Sequence, residues 1–154
     1  MILGYRREDV NVVEWHCSYS KAAHILDEYV QHATNESSNP VIVDVGCGLS
    51  SMGLELVRSG SCRKADMQLY LIDISPELVE NLRHLHVADS WIHCSEGDCR
   101  RLKELKDGCA SLVIDKGTLD ALCGEQDKIS MLKVLTLFGP GELLSIVDFH
   151  AHRT

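Results

Sequence analysis

This 154-residue sequence predicts an α/β fold, a doubly wound parallel sheet of about five strands. Three observations carry that reading. Short apolar runs, mostly β-branched and suited to strands covered on both faces, alternate with helical segments five times. The first run, Val41 to Val45, passes directly into Gly46-Cys47-Gly48 and then a helix. Acids also recur at one edge: Asp44, Asp73, Asp98 and Asp115 each fall at or just beyond the carboxyl end of an expected strand, where open α/β sheets bind ligands.

Taken in order, residues 1 to 17 show little periodicity but hold Glu14 and Trp15. From Ser18 to His32, Tyr19, Ala22, Ala23, Leu26, Tyr29 and Val30 recur at helical spacing and predict an amphipathic helix. The polar run Ala33 to Pro40 is the connector that ends it. After the first strand, Gly46 and Gly48 permit a tight turn and close ligand approach, and Ser50-Ser51 can cap a short helix, Met52 to Ser59, with Gly60 as its terminator. Ser59 to Asp66 is a polar loop, and Gln68 to Ile72 is the second strand, ending at Asp73.

Ser75 as N-cap, Pro76 at the first helical position and Glu77 in the first turn start the next helix, with Leu78, Leu82 and Leu85 as its expected buried stripe. Trp91 to Cys94 is the third strand, followed by Glu96-Gly97-Asp98-Cys99 and a charged segment, Arg100 to Asp107, expected to be a short helix. Ala110 to Ile114 is the fourth strand, ending in Asp115. Lys128 to Phe138 reads as a helix stopped by Gly139-Pro140-Gly141, and Glu142 to Val147 as the fifth strand. The whole of 1–154 is organised as one domain, an N-terminal segment and helix over 1–35 and a ligand-binding core over 41–148.

Composition narrows the function. A net charge of −8 argues against broad binding to nucleic acid or anionic membrane and leaves a basic protein tail as an allowable partner. Seven scattered cysteines without a C-x-x-C pair read as reduced thiols of a cytoplasmic protein, and the eight histidines lack ligand spacing, so no metal site is expected. No apolar run approaches the roughly 20 residues a membrane span needs.

The glycine turn first has to be weighed as a dinucleotide fingerprint. Its third glycine would fall at Ser51, and Gly53 is two residues late. A pyrophosphate wants helix amides and no nearby anion, whereas Asp44 beside the turn suits a ligand carrying positive charge, such as the sulfonium and ammonium of S-adenosylmethionine. On that reading Asp73 accepts both ribose hydroxyls and Ile74 packs on the adenine. Asp98 takes the adenine amino group and the Cys99 amide meets the ring. Gly46, Cys47 and Gly48 give backbone access to the methionine portion.

The motifs D-V-G-C-G, L-I-D-I-S, E-G-D-C and V-I-D-K-G-T-L-D-A-L, in this order, resemble the successive motifs of the class I S-adenosylmethionine-dependent methyltransferases over about residues 14 to 148. D-K-G-T-x-D-A resembles the methyltransferase-like subgroup that contains lysine methyltransferases of translation elongation factor 1-alpha and of citrate synthase. The resemblance implies a Rossmann-like fold, S-adenosylmethionine as cofactor and a protein lysine as acceptor, with Asp115 positioning the amine, binding cofactor or fixing the loop. It also implies an acidic-aromatic entrance at Glu14-Trp15 and Tyr19, with Lys116 beside it, although a Trp and Tyr pair near a helix is more often core. Enzymes that methylate base amines usually show D/N-P-P-Y/F at the fourth strand, with an aromatic for the flipped base, and Asp115-Lys116-Gly117-Thr118 departs from that.

The family's sixth and seventh strands are not expected from the few residues after Asp148. An exposed fifth strand invites self-association through its unpaired backbone. Two alternatives stay open: a catalytically weak cofactor-binding scaffold and a small-molecule methyltransferase.

Overall fold

Strand β1 (Val41–Val45) lies at the centre of the molecule, with Ile42, Val43, Asp44 and Val45 all buried. The computed structural model describes residues 18–50, 52–58, 67–103, 105–137 and 142–146. Around β1 the chain builds α1 (Tyr19–Glu36), α2 (Met52–Arg58), β2 (Gln68–Asp73), α3 (Pro76–Leu85), β3 (Ile92–Glu96), β4 (Leu112–Lys116), α4 (Thr118–Ala121), α5 (Glu125–Leu137) and β5 (Glu142–Ile146). The five strands form one parallel sheet in the order β3-β2-β1-β4-β5. The chain therefore moves outward from β1 to β3, crosses back, and continues from β4 on the other side. The switch point lies between β1 and β4.

Strand alternation divides the core in two. Ile42, Leu69, Leu71, Leu112 and Ile114 point to one face, where Leu26 of α1, Leu56 of α2 and Leu82 of α3 cover them. Val43, Val45, Ile72 and Val113 point to the other, where Met131 and Leu135 of α5 lie. Burial on both faces is why these strands read as continuous apolar runs. The doubly wound parallel sheet expected from the sequence is the fold observed.

The differences have physical causes. Helix α1 continues through Glu36, into the expected connector, because Ala33 adds a buried turn below Leu26 and Val30. In α3 the buried positions are Val79 and Leu82, whereas Leu85 is 42% exposed; the apolar stripe is centred one residue later than the leucine spacing suggests. Strands β3 and β4 each run two residues past their expected ends, since ladder pairing with β2 carries β3 to Glu96 and pairing with β5 carries β4 to Lys116.

No helix forms over the described part of 100–107. The Asp98 carbonyl accepts the Arg101 and Leu102 amides in a single turn, and only Leu102 and Leu105 reach the core, too few to make a stripe. Helix α5 begins at Glu125, before the expected Lys128, with Glu125 and Asp127 favourably placed in its first turn. The short helix α4 is an addition. Ser51, Gly60 and the expectations about positions 1–17 and after 148 lie outside the described residues.

Candidate functional site

Four loops at the carboxyl edge of the sheet enclose a cavity of about 680 Å³, lined by residues 46–50, 73–74, 97–100, 116–118 and 120–122. That volume falls in the range of roughly 300–1,000 Å³ typical of cofactor and small-ligand sites.

The glycine turn forms the first wall. Gly46 and Gly48 both adopt left-handed backbone, with φ of 64° and 55°, and the Gly46 and Cys47 amides donate to the Ile72 carbonyl at 2.7 and 3.1 Å. These bonds stitch the turn onto β2. Ser50 then accepts the Met52 amide at 3.1 Å and opens α2.

The end of β2 supplies Asp73, whose Oδ2 accepts the Gly48 amide and whose Oδ1 accepts the Ser75 amide, both at 3.0 Å. An ionised carboxylate has about four acceptor positions, so about two remain for a ligand. Ile74, next along the cavity wall, is 64% exposed, a large apolar side chain held in solvent beside the site.

The end of β3 supplies Asp98 and Cys99. Asp98 Oδ1 accepts the Arg100 backbone amide at 3.0 Å and its Nε at 2.8 Å, while Oδ2 accepts Nη2 at 2.7 Å. Arg100 Nη1 reaches Asp127 of α5 at 3.1 Å, so one guanidinium ties the β3 loop to that helix. The Arg100 side chain holds the Asp98 carboxyl down at about 2, below its ordinary 3.8. Because the folded-state value is the lower one, the pair's stabilisation is complete above about pH 4 and is lost as pH falls through about 2. Arg100→Met is expected to return Asp98 to the ordinary carboxylate range, read from the side-chain carboxyl carbon shift in an acid NMR titration. An unmoved midpoint would separate Asp98 from Arg100.

Burial raises the thiols of Cys47 and Cys99, with Asp44 and Asp73 adding for Cys47 and Asp98 for Cys99. Both lining thiols thus stay protonated at neutral pH and are poor nucleophiles. Among the described residues no cluster of His, Cys, Asp or Glu is arranged to hold a metal ion.

Two of the four edge aspartates lie outside the lining. Asp44, one residue inside the strand end, turns to the α2 face, where its Oδ2 would stand 2.8 Å from a Cβ placed on Gly53. It is buried beneath the first turn of α2. Asp115 is 1% exposed, and its Oδ1 accepts the Thr118 and Leu119 amides at 2.9 and 3.3 Å. These bonds hold the β4 loop, one of the three roles that the sequence left open for Asp115. Tyr19 is buried in the α1 core, the more frequent place for such a residue, with its hydroxyl donating to Asp27 at 3.0 Å. Lys116 does line the cavity, and Trp15 lies outside the described residues.

Thr118 is the residue that motif reading left without a role. Its Oγ1 donates to the Val45 carbonyl at 2.9 Å, and a Cβ on Gly46 would stand 2.0 Å from that oxygen. The first glycine of the turn is therefore required by a side chain 72 positions later. Gly117, left-handed at φ 84°, makes the bend that brings Thr118 there. Leu49, Ser50, Gly97, Arg100 and Gly117 join the lining as neighbours of expected residues, and Asp120 to Leu122 join it through the unforeseen α4 and its end.

These residues fit a nucleoside: a carboxylate with spare acceptor positions, an exposed apolar side chain beside it, and a glycine cradle. Solved structures share the fold. The PH0226 protein from Pyrococcus horikoshii OT3 is 16% identical, with 88% of this chain and 57% of that chain covered and a TM-score of 0.62. The trans-methyltransferase CalH, in complex with SAH, is 16% identical over 79% of this chain and 34% of that one, TM-score 0.59. The mitomycin 7-O-methyltransferase MmcR is 20% identical over 86% and 44%, TM-score 0.58. The chain thus spans between 34% and 57% of the length of these structures. No curated protein matches the sequence. A family model described as a methyltransferase domain matches residues 36–154, a stretch that takes in every strand of the sheet and the entire cavity lining. The chain belongs to that methyltransferase-domain family.

Proposed function

We propose that this chain binds S-adenosylmethionine in the carboxyl-edge cavity and transfers its methyl group to a lysine side chain of a protein. The observation that carries the cofactor half is Asp73, which grips the Gly48 amide while lining the cavity beside exposed Ile74. Asp73 would take the ribose hydroxyls and Ile74 the adenine face. Asp98, with three of its four acceptor positions filled by Arg100, keeps one for the adenine amino group. When bound, the cofactor supplies a sulfonium methyl: an acceptor nitrogen's lone pair forms the new C–N bond, the C–S pair returns to sulfur, and the nitrogen's proton goes to solvent. The residues of this chain align and desolvate the partners, which is the main contribution left when the leaving group is already activated.

The lysine acceptor is supported by the resemblance of D-K-G-T-x-D-A to protein-lysine methyltransferases and by the net charge of −8, which suits a basic protein segment. A cytoplasmic location and pairing of chains along the outer edge of β5 belong to the same proposal. Among the described residues no helix is long and apolar enough to cross a membrane. A small-molecule acceptor is the second reading, favoured by the likeness to the mitomycin 7-O-methyltransferase.

Two measurements test the proposal. Calorimetric titration is expected to show S-adenosylmethionine binding and no binding of nicotinamide dinucleotide; the reverse would refute the cofactor. Incubation with methyl-labelled cofactor and a cell extract is expected to label protein, recovered as methyl-lysine after hydrolysis. Label in the small-molecule fraction would favour the second reading, and binding without any transfer would make the chain a cofactor-binding scaffold.

A further inference from the structure

We infer that Asp120 is the acceptor-binding carboxylate of this site and that it selects a cationic alkyl amine. The inference rests on the methyltransferase reading above and adds the group that recognises the acceptor. Of the carboxylates in or beside the lining, Asp115 is engaged by backbone amides, and Asp73 and Asp98 are engaged in part by the protein, their spare acceptor positions going to the cofactor in that reading. Asp73 accepts the Gly48 and Ser75 amides, Asp98 is bound by Arg100, and Asp115 accepts the Thr118 and Leu119 amides. Asp120 differs. It lines the cavity, its residue is exposed, and its position is set by an anchored loop: Asp115 beneath α4, and Thr118 on the Val45 carbonyl.

Ala121 and Leu122 continue the lining beside it. A carboxylate followed by two apolar residues matches an ammonium at the end of a methylene stem, the stem lying on the apolar wall and the charge at Asp120. The cavity's cations are Arg100, already held between Asp98 and Asp127, and Lys116. Asp120 acts by recognition. A carboxylate beside an ammonium raises the ammonium's pKa, so it orients the acceptor and does not serve as the base that frees the lone pair. The proton leaves to solvent, and transfer speeds up as pH rises towards the range where the amine is neutral.

The test uses the whole chain saturated with S-adenosylhomocysteine, into which Nα-acetyl-lysine amide or its uncharged counterpart Nα-acetyl-norleucine amide is titrated by NMR. The lysine derivative is expected to bind at least about tenfold more tightly, a ratio that one well-placed charge pair supplies. In Asp120→Asn that ratio is expected to fall to about one, with S-adenosylhomocysteine affinity within about twofold of the parent, while Asp120→Glu retains part of the preference. A ratio that survives in Asp120→Asn, or is missing from the parent, overturns the inference while leaving the cofactor reading intact. Failure of S-adenosylhomocysteine to bind the parent is visible before any amide is added, and it overturns the cofactor reading and this inference together.

Discussion

Asp73→Ala is expected to weaken S-adenosylmethionine binding by at least about a hundredfold in a calorimetric titration. Hydrogen bonds to an ionised group are worth about 1.5–3 kcal/mol each, so two ribose hydroxyls on Asp73 represent roughly 3–6 kcal/mol, and a hundredfold is about 2.7 kcal/mol. The substitution also removes the acceptor for the Gly48 and Ser75 amides, loosening the glycine turn and the cap of α3 at once. Asp73→Asn, which keeps one carbonyl oxygen, should fall between the two. A loss below about tenfold in the alanine variant, with the circular dichroism of the parent, would remove the ribose from Asp73.

The second large effect is expected from Gly46→Ala. An added Cβ would lie 2.0 Å from Thr118 Oγ1, 2.7 Å from its Cγ2 and 2.9 Å from its Cβ, on backbone at φ +64°. Left-handed backbone costs about 1–2 kcal/mol, overpacking about 1–3, and the displaced Thr118 hydrogen bond about 1. Together these amount to roughly 3–6 kcal/mol, which for a chain of this size lowers the melting temperature by on the order of 10 °C. Cofactor binding should disappear with the turn. Gly48→Ala is the control: its φ is +55°, but the nearest atom to its added Cβ is 4.0 Å away, so it should show the backbone cost alone. Gly46→Ala combined with Thr118→Ala should be less destabilised than the sum of the two single changes, because they share one contact. Strict additivity would show that the two loops do not touch in solution.

What could be read from the sequence follows from how local each cause is. Strand β1 and the start of α3 depend on neighbours in the chain: a β-branched run, then Ser75 and Pro76, whose cap is observed with the Leu78 amide on Ser75 Oγ at 3.4 Å. The glycine turn, Asp73, Ile74, Asp98, Cys99 and Lys116 do line one cavity, because in a parallel sheet every strand delivers its carboxyl end to the same edge. Distant causes stayed hidden. The last residues of β3 and β4 are set by partner strands, and Asp44 and Asp115 are identical in sequence pattern to lining acids yet alternate into the protein by one position of pleat. Asp98 showed its place but not its partner, since Arg100 and Asp127 meet only once α5 is packed. Nothing near Thr118 in the chain signals that its neighbour is Gly46.

That contact between Thr118 and the first turn has a consequence for how such a protein could change its clientele. Because an added Cβ on Gly46 would strike Thr118, the first glycine cannot be enlarged while that side chain stays, and the glycine turn is tied to the start of the β4 segment. Asp120, Ala121 and Leu122, a few residues further on, sit beyond that interlock and still face the cavity. New acceptors can therefore be explored at three consecutive positions without disturbing the donor's seat, and a library for altered specificity should begin there.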